Sequence, residues 1–336
     1  MVRWSARCAV ALVSACVVTL EVSNKIGPEA AWPLALLQYI PYIFLLLPAL
    51  AAVALSLALG RRWRVVSISC FVAFVTIVMG FELNASDQNA KRTRLMTYNA
   101  KAYLAVKGPE GMWPIKFEID QYDADIVVLQ DAGSLVTMLN AMPEVAQVMF
   151  GSRKLYTFGQ YVVASRYSLR DCRPGSISFR ENPHTYVRCV VDINGREIDL
   201  FTAHFLSPRD GLNAIRHEQL GGISEWKQNV ADRMVQAQSL ARDLKASSRP
   251  VIVAGDLNAP EHSLAIQTLL ESGVRDAFSS AGKGFGYTYG HSLWPYISFV
   301  RIDHILASPQ IGVADCFVGA AKSSEHLAVI ADLIIE

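Results

Sequence analysis

The sequence predicts an α/β domain set behind an apolar N-terminal part that belongs in a membrane. Three observations predict it. The apolar residues are concentrated in about the first eighty positions. From about Arg92 onward, short apolar strands alternate with polar loops and a few helical segments, the pattern of a mixed α/β architecture. Polar residues able to do chemistry stand where those strands begin or end.

The membrane part comes first. The chain has 336 residues, 52% of them hydrophobic, and a mean hydropathy of +0.26; ordinary soluble domains are less apolar. Three apolar runs carry the excess: CAVALVSACVVTLEV (8–22), LALLQYIPYIFLLLPALAAVALSLAL (34–59) and VVSISCFVAFVTIVMGFEL (65–83). A spanning helix needs about 20 mainly apolar residues, so three transmembrane helices are expected over residues 1–84. For the first run a cleaved signal peptide is the rival reading, since Arg3 and Arg7 precede a short apolar core. Arg61, Arg62 and Arg64 lie between the second and third runs. Basic residues favour the cytoplasmic side, which places the N-terminus and the 61–64 loop inside and everything after residue 84 outside. The expected location is a multi-pass cell membrane with the following domain extracytoplasmic, a linker over 85–91 and the domain itself over 92–336.

Within that domain the strand candidates are 94–99, 125–130, 161–165, 186–193, 197–205, 250–255, 301–308 and 328–335. INGR (193–196) carries a hairpin turn signal. The clearest helix is 231–247, with Ala237, Leu240, Ala241 and Leu244 on one apolar face. The segment 206–229 reads as a long loop after the 197–205 strand, and its Arg209 and Arg216 are candidate binding residues. Trp226, Trp294 and Tyr296 are candidates for the membrane surface, with buried packing as the alternative. Cys172, Cys189 and Cys316 lack metal-type spacing and are expected to be small buried residues; a Cys172–Cys189 bridge is the alternative outside the cytoplasm. A formal net charge of +1 without a basic stripe argues against a general nucleic-acid binder.

The polar residues at the strand ends are Asn99, Asp131, His204, Asp256 with Asn258, Asp303, and Glu325 with His326. In α/β folds the loops at one strand end converge on a crevice. In this order the motifs resemble the endonuclease/exonuclease/phosphatase superfamily, of DNase I-like fold. LMTYNA, DADIVVLQDA, VVASRYSL, FTAHFL, VIVAGDLNAP, RIDHILAS and SSEHLAVIADL each resemble one of its segments, across 92–336. The layout resembles that of membrane-anchored bacterial members.

That resemblance implies two packed β-sheets flanked by helices and a divalent metal, Mg²⁺ or Mn²⁺, suited to oxygen ligands. It implies that Asp131 and Glu325 hold the metal with Asn99 close by, and that Asp303 orients His326 as base or electrostatic partner of the phosphate. Asp256 would position or deprotonate the attacking water, and Asn258 and His204 would bond the phosphoryl oxygens. Asp131 stands where the family has Glu, and Glu325 where it has Asp; each keeps its charge and changes its reach by about 1.5 Å.

The function expected is a tethered, metal-dependent phosphoesterase acting on a phosphate ester or pyrophosphate, lipid-linked and at the outer membrane face. The bilayer and a phosphorylated substrate are the partners, and no protein partner is expected. The alternatives are a tethered nuclease acting on DNA or RNA, and a non-catalytic domain that binds a phosphorylated ligand.

Overall fold

The structure is a computed structural model that describes residues 2–85, 92–108, 110–320 and 323–335. The linker expected over 85–91 lies, beyond residue 85, outside the described residues.

Four helices open the chain: α1 (Val2–Ile26), α2 (Trp32–Leu37), α3 (Ile43–Leu57) and α4 (Arg61–Ala73), the last running on as a π turn, Phe74–Val78. Among the described residues one helix, Arg3–Ile26, is long and apolar enough to cross a membrane. This corrects the expectation of three. The run 34–59 is broken between α2 and α3, where Pro41 has no amide to donate. The remaining α3 has 15 residues, which at about 1.5 Å each falls short of a bilayer core about 30 Å thick. The third run (65–83) is α-helical only over residues 65–73 of α4, continues as the 5-residue π turn and leaves helix after Val78. α1 packs against α3 and α4 through Val17, Ala49, Phe74 and Val78.

Fourteen strands follow among the described residues: β1 (Glu82–Leu83), β2 (Thr93–Asn99), β3 (Ile126–Gln130), β4 (Lys154–Phe158), β5 (Tyr161–Ser165), β6 (Ser168–Ser176), β7 (Thr185–Ile193), β8 (Arg196–Ala203), β9 (Val251–Asp256), β10 (Arg275–Asp276), β11 (Lys283–Gly284), β12 (Asp303–Ala307), β13 (Gly312–Val318) and β14 (Val329–Ile334). They form two six-stranded mixed sheets, ordered β13-β14-β2-β3-β5-β4 and β10-β12-β9-β8-β7-β6, with a small β1-β11 ribbon. The expected strands are therefore present with ends shifted by one or two residues, and Asn194 and Gly195, both at positive φ, make the expected hairpin turn.

Alternation along each strand supplies two apolar faces. The inner faces meet in one core, where Leu95, Ile126 and Val163 of the first sheet oppose Val187, Leu200 and Ile252 of the second. The outer face of the first sheet is covered by helices Trp113–Tyr122 and Gly133–Ala141. The outer face of the second is covered by helices Ile223–Lys245 and Leu264–Leu270. The two packed sheets flanked by helices match the expectation.

Two further expectations change, for the 206–229 segment and the cysteines, and for Trp226 the buried alternative holds. The segment 206–229 is not a loop: Arg209–Glu218 is helical, and the long helix begins at Ile223 rather than at 231. Trp226 does not face a membrane. It is fully buried, its indole donating to the carbonyl of Trp32 and its ring meeting Tyr39 edge-on. Cys172 and Cys189 are joined in a disulfide, because the irregularity of β6 between Arg170 and Arg173 sets Cys172 beside its neighbour on β7; Cys316 is a buried free thiol.

The N-terminal helices are knitted to the sheets by polar contacts as well. Gln267 donates to the Asn24 carbonyl, the Leu264 amide donates to Glu29, and Tyr287 donates to the Met79 carbonyl.

Candidate active site

Strand register builds the site. Asn99 ends β2 directly beside Gln130, the end of β3. Asp256 ends β9 opposite Asp303, the start of β12, and His204 bridges to Asp256 just past β8. Gly255 permits this closeness, since a Cβ there would lie 2.1 Å from the Ala203 carbonyl oxygen. His326 precedes β14 and pairs with Tyr289. The two sheets thus bring their polar strand ends to one place, as the sequence pattern implied.

At the centre is the buried carboxylate of Asp256. Its Oδ2 accepts from Asn99 Nδ2 at 2.7 Å and lies 3.4 Å from His204 Nε2 and 3.8 Å from His326 Nε2. Its Oδ1 accepts from the Asn258 amide at 2.9 Å. Burial pushes Asp256 up, but His326, His204 and the bond from Asn99 outweigh it and hold the carboxyl below its ordinary range. Asp303 Oδ2 meets His326 Nδ1 at 2.9 Å. Burial alone would lower the pKa of His326; the carboxylates of Asp303 and Asp256 reverse that and hold it above its ordinary value. Asp303 in turn is raised, mainly by burial. His204 is lowered by burial, against the pull of Asp256 and Asp131. Its Nδ1 lies 2.7 Å from the Gln160 side-chain oxygen, which can only accept, so the ring proton sits on Nδ1.

Asp131 and Glu325 lie beside this cluster, about a quarter exposed at 26% and 29%. The Lys101 ammonium stands between them, 3.3 Å from Asp131 Oδ2 and 3.9 Å from Glu325 Oε2. Two oxygen donors of this kind, brought to one place by their ion pairs with Lys101, are of the type a hard divalent cation takes. Among the described residues, the group of three or more acidic and histidine side chains able to hold a metal is Asp256, Asp303 and His326, with donor atoms within 4.8 Å of one another. There His326 Nδ1 is already engaged by Asp303. Asn99 turns its amide nitrogen to Asp256 and its oxygen to the Lys101 amide. Asn258 spends its side-chain nitrogen on the Phe205 carbonyl and Asp256.

Lys101, Asp131 and Asn258 all take left-handed backbone conformations, with φ of 44°, 51° and 46°. Each costs on the order of 1–3 kcal/mol in a non-glycine residue, and such strain gathers at functional sites.

A cavity of about 520 Å³ opens beside this cluster. Its lining mixes charged and polar groups, among them Lys101, His204, Arg209, Arg216, Asp256, Asn258, Glu325 and His326, with apolar ones, Leu212, Leu293, Phe299, Val300 and Ile302; Asp131 is not among the lining residues. Both candidate arginines face it, and Arg209 lies 3.3 Å from Glu325. Sequence reasoning missed three participants. Lys101 follows a strand end by two residues and carried a weak signal. Gln130, which donates to Thr202 and ties the sheets together, stood in a quoted motif. Tyr39 comes from the N-terminal part and lines the same cavity, donating to the Asn258 carbonyl at 3.0 Å; nothing in its local sequence marks it.

No curated protein matches the chain by sequence search. Solved structures with the same fold include an endonuclease/exonuclease/phosphatase from Beutenbergia cavernae (20% identity, TM-score 0.52, 73% of this chain and 72% of that one). Others are D. rerio TDP2 complexed with a single-strand DNA product (16%, 0.56, 72% and 99%) and a Bacteroides thetaiotaomicron mannosyl-6-phosphatase (15%, 0.52, 72% and 99%). Residues 118–326 match the model of the Endonuclease/Exonuclease/phosphatase family, and the chain belongs to that family of phosphoester-cleaving enzymes.

Proposed function

We propose that this protein is a membrane-anchored, divalent-metal-dependent hydrolase of a lipid-linked phosphate ester or pyrophosphate, with its cleft outside the cytoplasm. The observation that carries the reading is a cavity lined by both charged and apolar groups. Its basic and catalytic groups suit an anionic phosphate, its apolar groups suit a hydrocarbon, and Trp294, next to the lining residue Leu293, stacks on Phe44 of α3. The Cys172–Cys189 disulfide supports an oxidising location, and α1 supports anchoring. Tethering raises the effective concentration of a substrate held in the same membrane.

A phosphate ester resists attack because its oxygens are anionic, so catalysis consists of charge neutralisation and positioning. Asp131 and Glu325 would hold the cation, with Asn99 close by, and Mg²⁺ or Mn²⁺ would supply neutralisation of the phosphoryl oxygens. Asp256, kept ionised by its neighbours, orients a water and accepts its proton as the water oxygen bonds to phosphorus and the bond to the leaving oxygen breaks. His326, kept cationic by Asp303, faces the phosphoryl oxygens as an electrostatic partner. An anionic phosphate at His204 Nε2 would draw a proton there and make it a second donor. Arg209 and Arg216 bind further oxygens of the head group.

The nuclease reading shares every one of these groups, and no basic stripe favours it. Phosphate release by the purified full chain from a polyprenyl pyrophosphate, a phospholipid and DNA, each with Mg²⁺ and with EDTA, separates the readings. Cleavage of the lipid substrates is expected; cleavage of DNA alone would favour the nuclease.

A further inference from the structure

The apolar lining of the cavity reaches the protein surface at Leu293. Leu293 lines the cavity and is itself exposed. Next to it Trp294 is 71% exposed, and its ring stacks on Phe44 of α3, with centroids 5.6 Å apart and planes within 15°. Ile43, Phe44 and Leu47 are exposed apolar residues at the start of α3, and Tyr296 and Ile297, just after Trp294, are exposed as well. α3 packs on α1, the helix able to cross a membrane. A contiguous exposed apolar surface of this kind marks a membrane or ligand contact rather than a water-facing one.

We propose that this surface is the path of the substrate's hydrocarbon chain. The phosphate sits among Lys101, Arg209 and His326, and the chain leaves over Leu293 and along the exposed edge of the stacked Trp294 and Phe44 rings, into the bilayer beside α3. This rests on the lipid-linked hydrolase reading and deepens it. It makes the N-terminal helices part of substrate recognition as well as an anchor. It also explains why the 291–297 segment reaches across to α3. The occupant is the chain of the substrate rather than bulk lipid alone, because Leu293 belongs both to the catalytic cavity and to the surface, so one molecule can touch both.

The experiment uses the full chain in detergent with Mg²⁺ and two soluble probes that share a head group, a five-carbon and a fifteen-carbon prenyl diphosphate. The readout is the ratio of their kcat/KM values, so that any loss common to both cancels. Wild type is expected to favour the longer chain by about tenfold or more, since each buried methylene adds to binding. Trp294→Ser combined with Phe44→Ser should bring the ratio close to one, and Trp294→Phe should keep it. An unchanged ratio in the double variant would overturn the chain path and leave the hydrolase reading standing. A wild-type protein indifferent to chain length would overturn the path together with the lipid-linked reading, and hydrolysis of neither probe would remove the hydrolase reading on which both depend.

Discussion

Replacing Asp303 by asparagine keeps the shape of the strand end and removes the charge that sustains the His326 imidazolium. Asp303 Oδ2 and His326 Nδ1 are 2.9 Å apart and both side chains are buried. At an effective dielectric of about 20 the attraction is about 6 kcal/mol before desolvation. Burial of the two charges cancels part of that, and breaking such a pair costs about 3–5 kcal/mol, or about two to four orders of magnitude in rate if the imidazolium acts in the transition state. The pH dependence has a definite sign. The pKa of His326 is raised in the folded protein, so the cationic form is complete at low pH and is lost as pH rises through that raised value. Wild-type kcat/KM should therefore carry an alkaline limb, and Asp303→Asn should move it to lower pH as well as lower the plateau. The assay is the pH profile of kcat/KM on a soluble phosphoester at saturating Mg²⁺, with circular dichroism to confirm the fold. An Asp303→Asn variant with full turnover, or with its alkaline limb where wild type has it, would refute the reasoning.

Two further outcomes are expected. Asp131→Asn should raise the Mg²⁺ concentration for half-maximal activity by about tenfold or more, as loss of a carboxylate ligand does, whereas Asp131→Glu should stay active; identical Mg²⁺ titrations of Asp131→Asn and wild type would remove Asp131 from the ligand set. Cys172→Ser should lower stability by about 3 kcal/mol, because the bridge closes a 17-residue loop; an unchanged melting temperature, or one insensitive to reductant in wild type, would contradict the disulfide.

The site was legible because its residues stand at strand ends, and strand ends are what short apolar runs reveal. Asn99, Asp256 and Asp303 each close or open a run that reads as a strand, and register then makes them neighbours. The helix beginning at Ile223 was read as starting at 231, since Gly221, Gly222 and the polar residues after them look like a loop; burial of Trp226 against Tyr39 and Trp32 settles it as helix. The apolar runs near the N-terminus reported composition well and helix length badly, because a proline break is weighed against the whole bundle. Tyr39 and Lys101 were invisible for different reasons. Tyr39 reaches the cleft through a contact with Asn258, 219 positions away in the chain. Lys101 gains its meaning only from the two carboxylates that the fold places around it.

The central claim is that this cleft cleaves phosphate esters with the help of a divalent cation. The most direct test is phosphate release from a prenyl diphosphate by the purified full chain, first in EDTA, then with Mg²⁺ restored, for wild type and Asp256→Asn. The account predicts release by wild type only when Mg²⁺ is present, and a rate at least about a hundredfold lower in Asp256→Asn. Release that persists in EDTA, or an Asp256→Asn variant as fast as wild type, would contradict it.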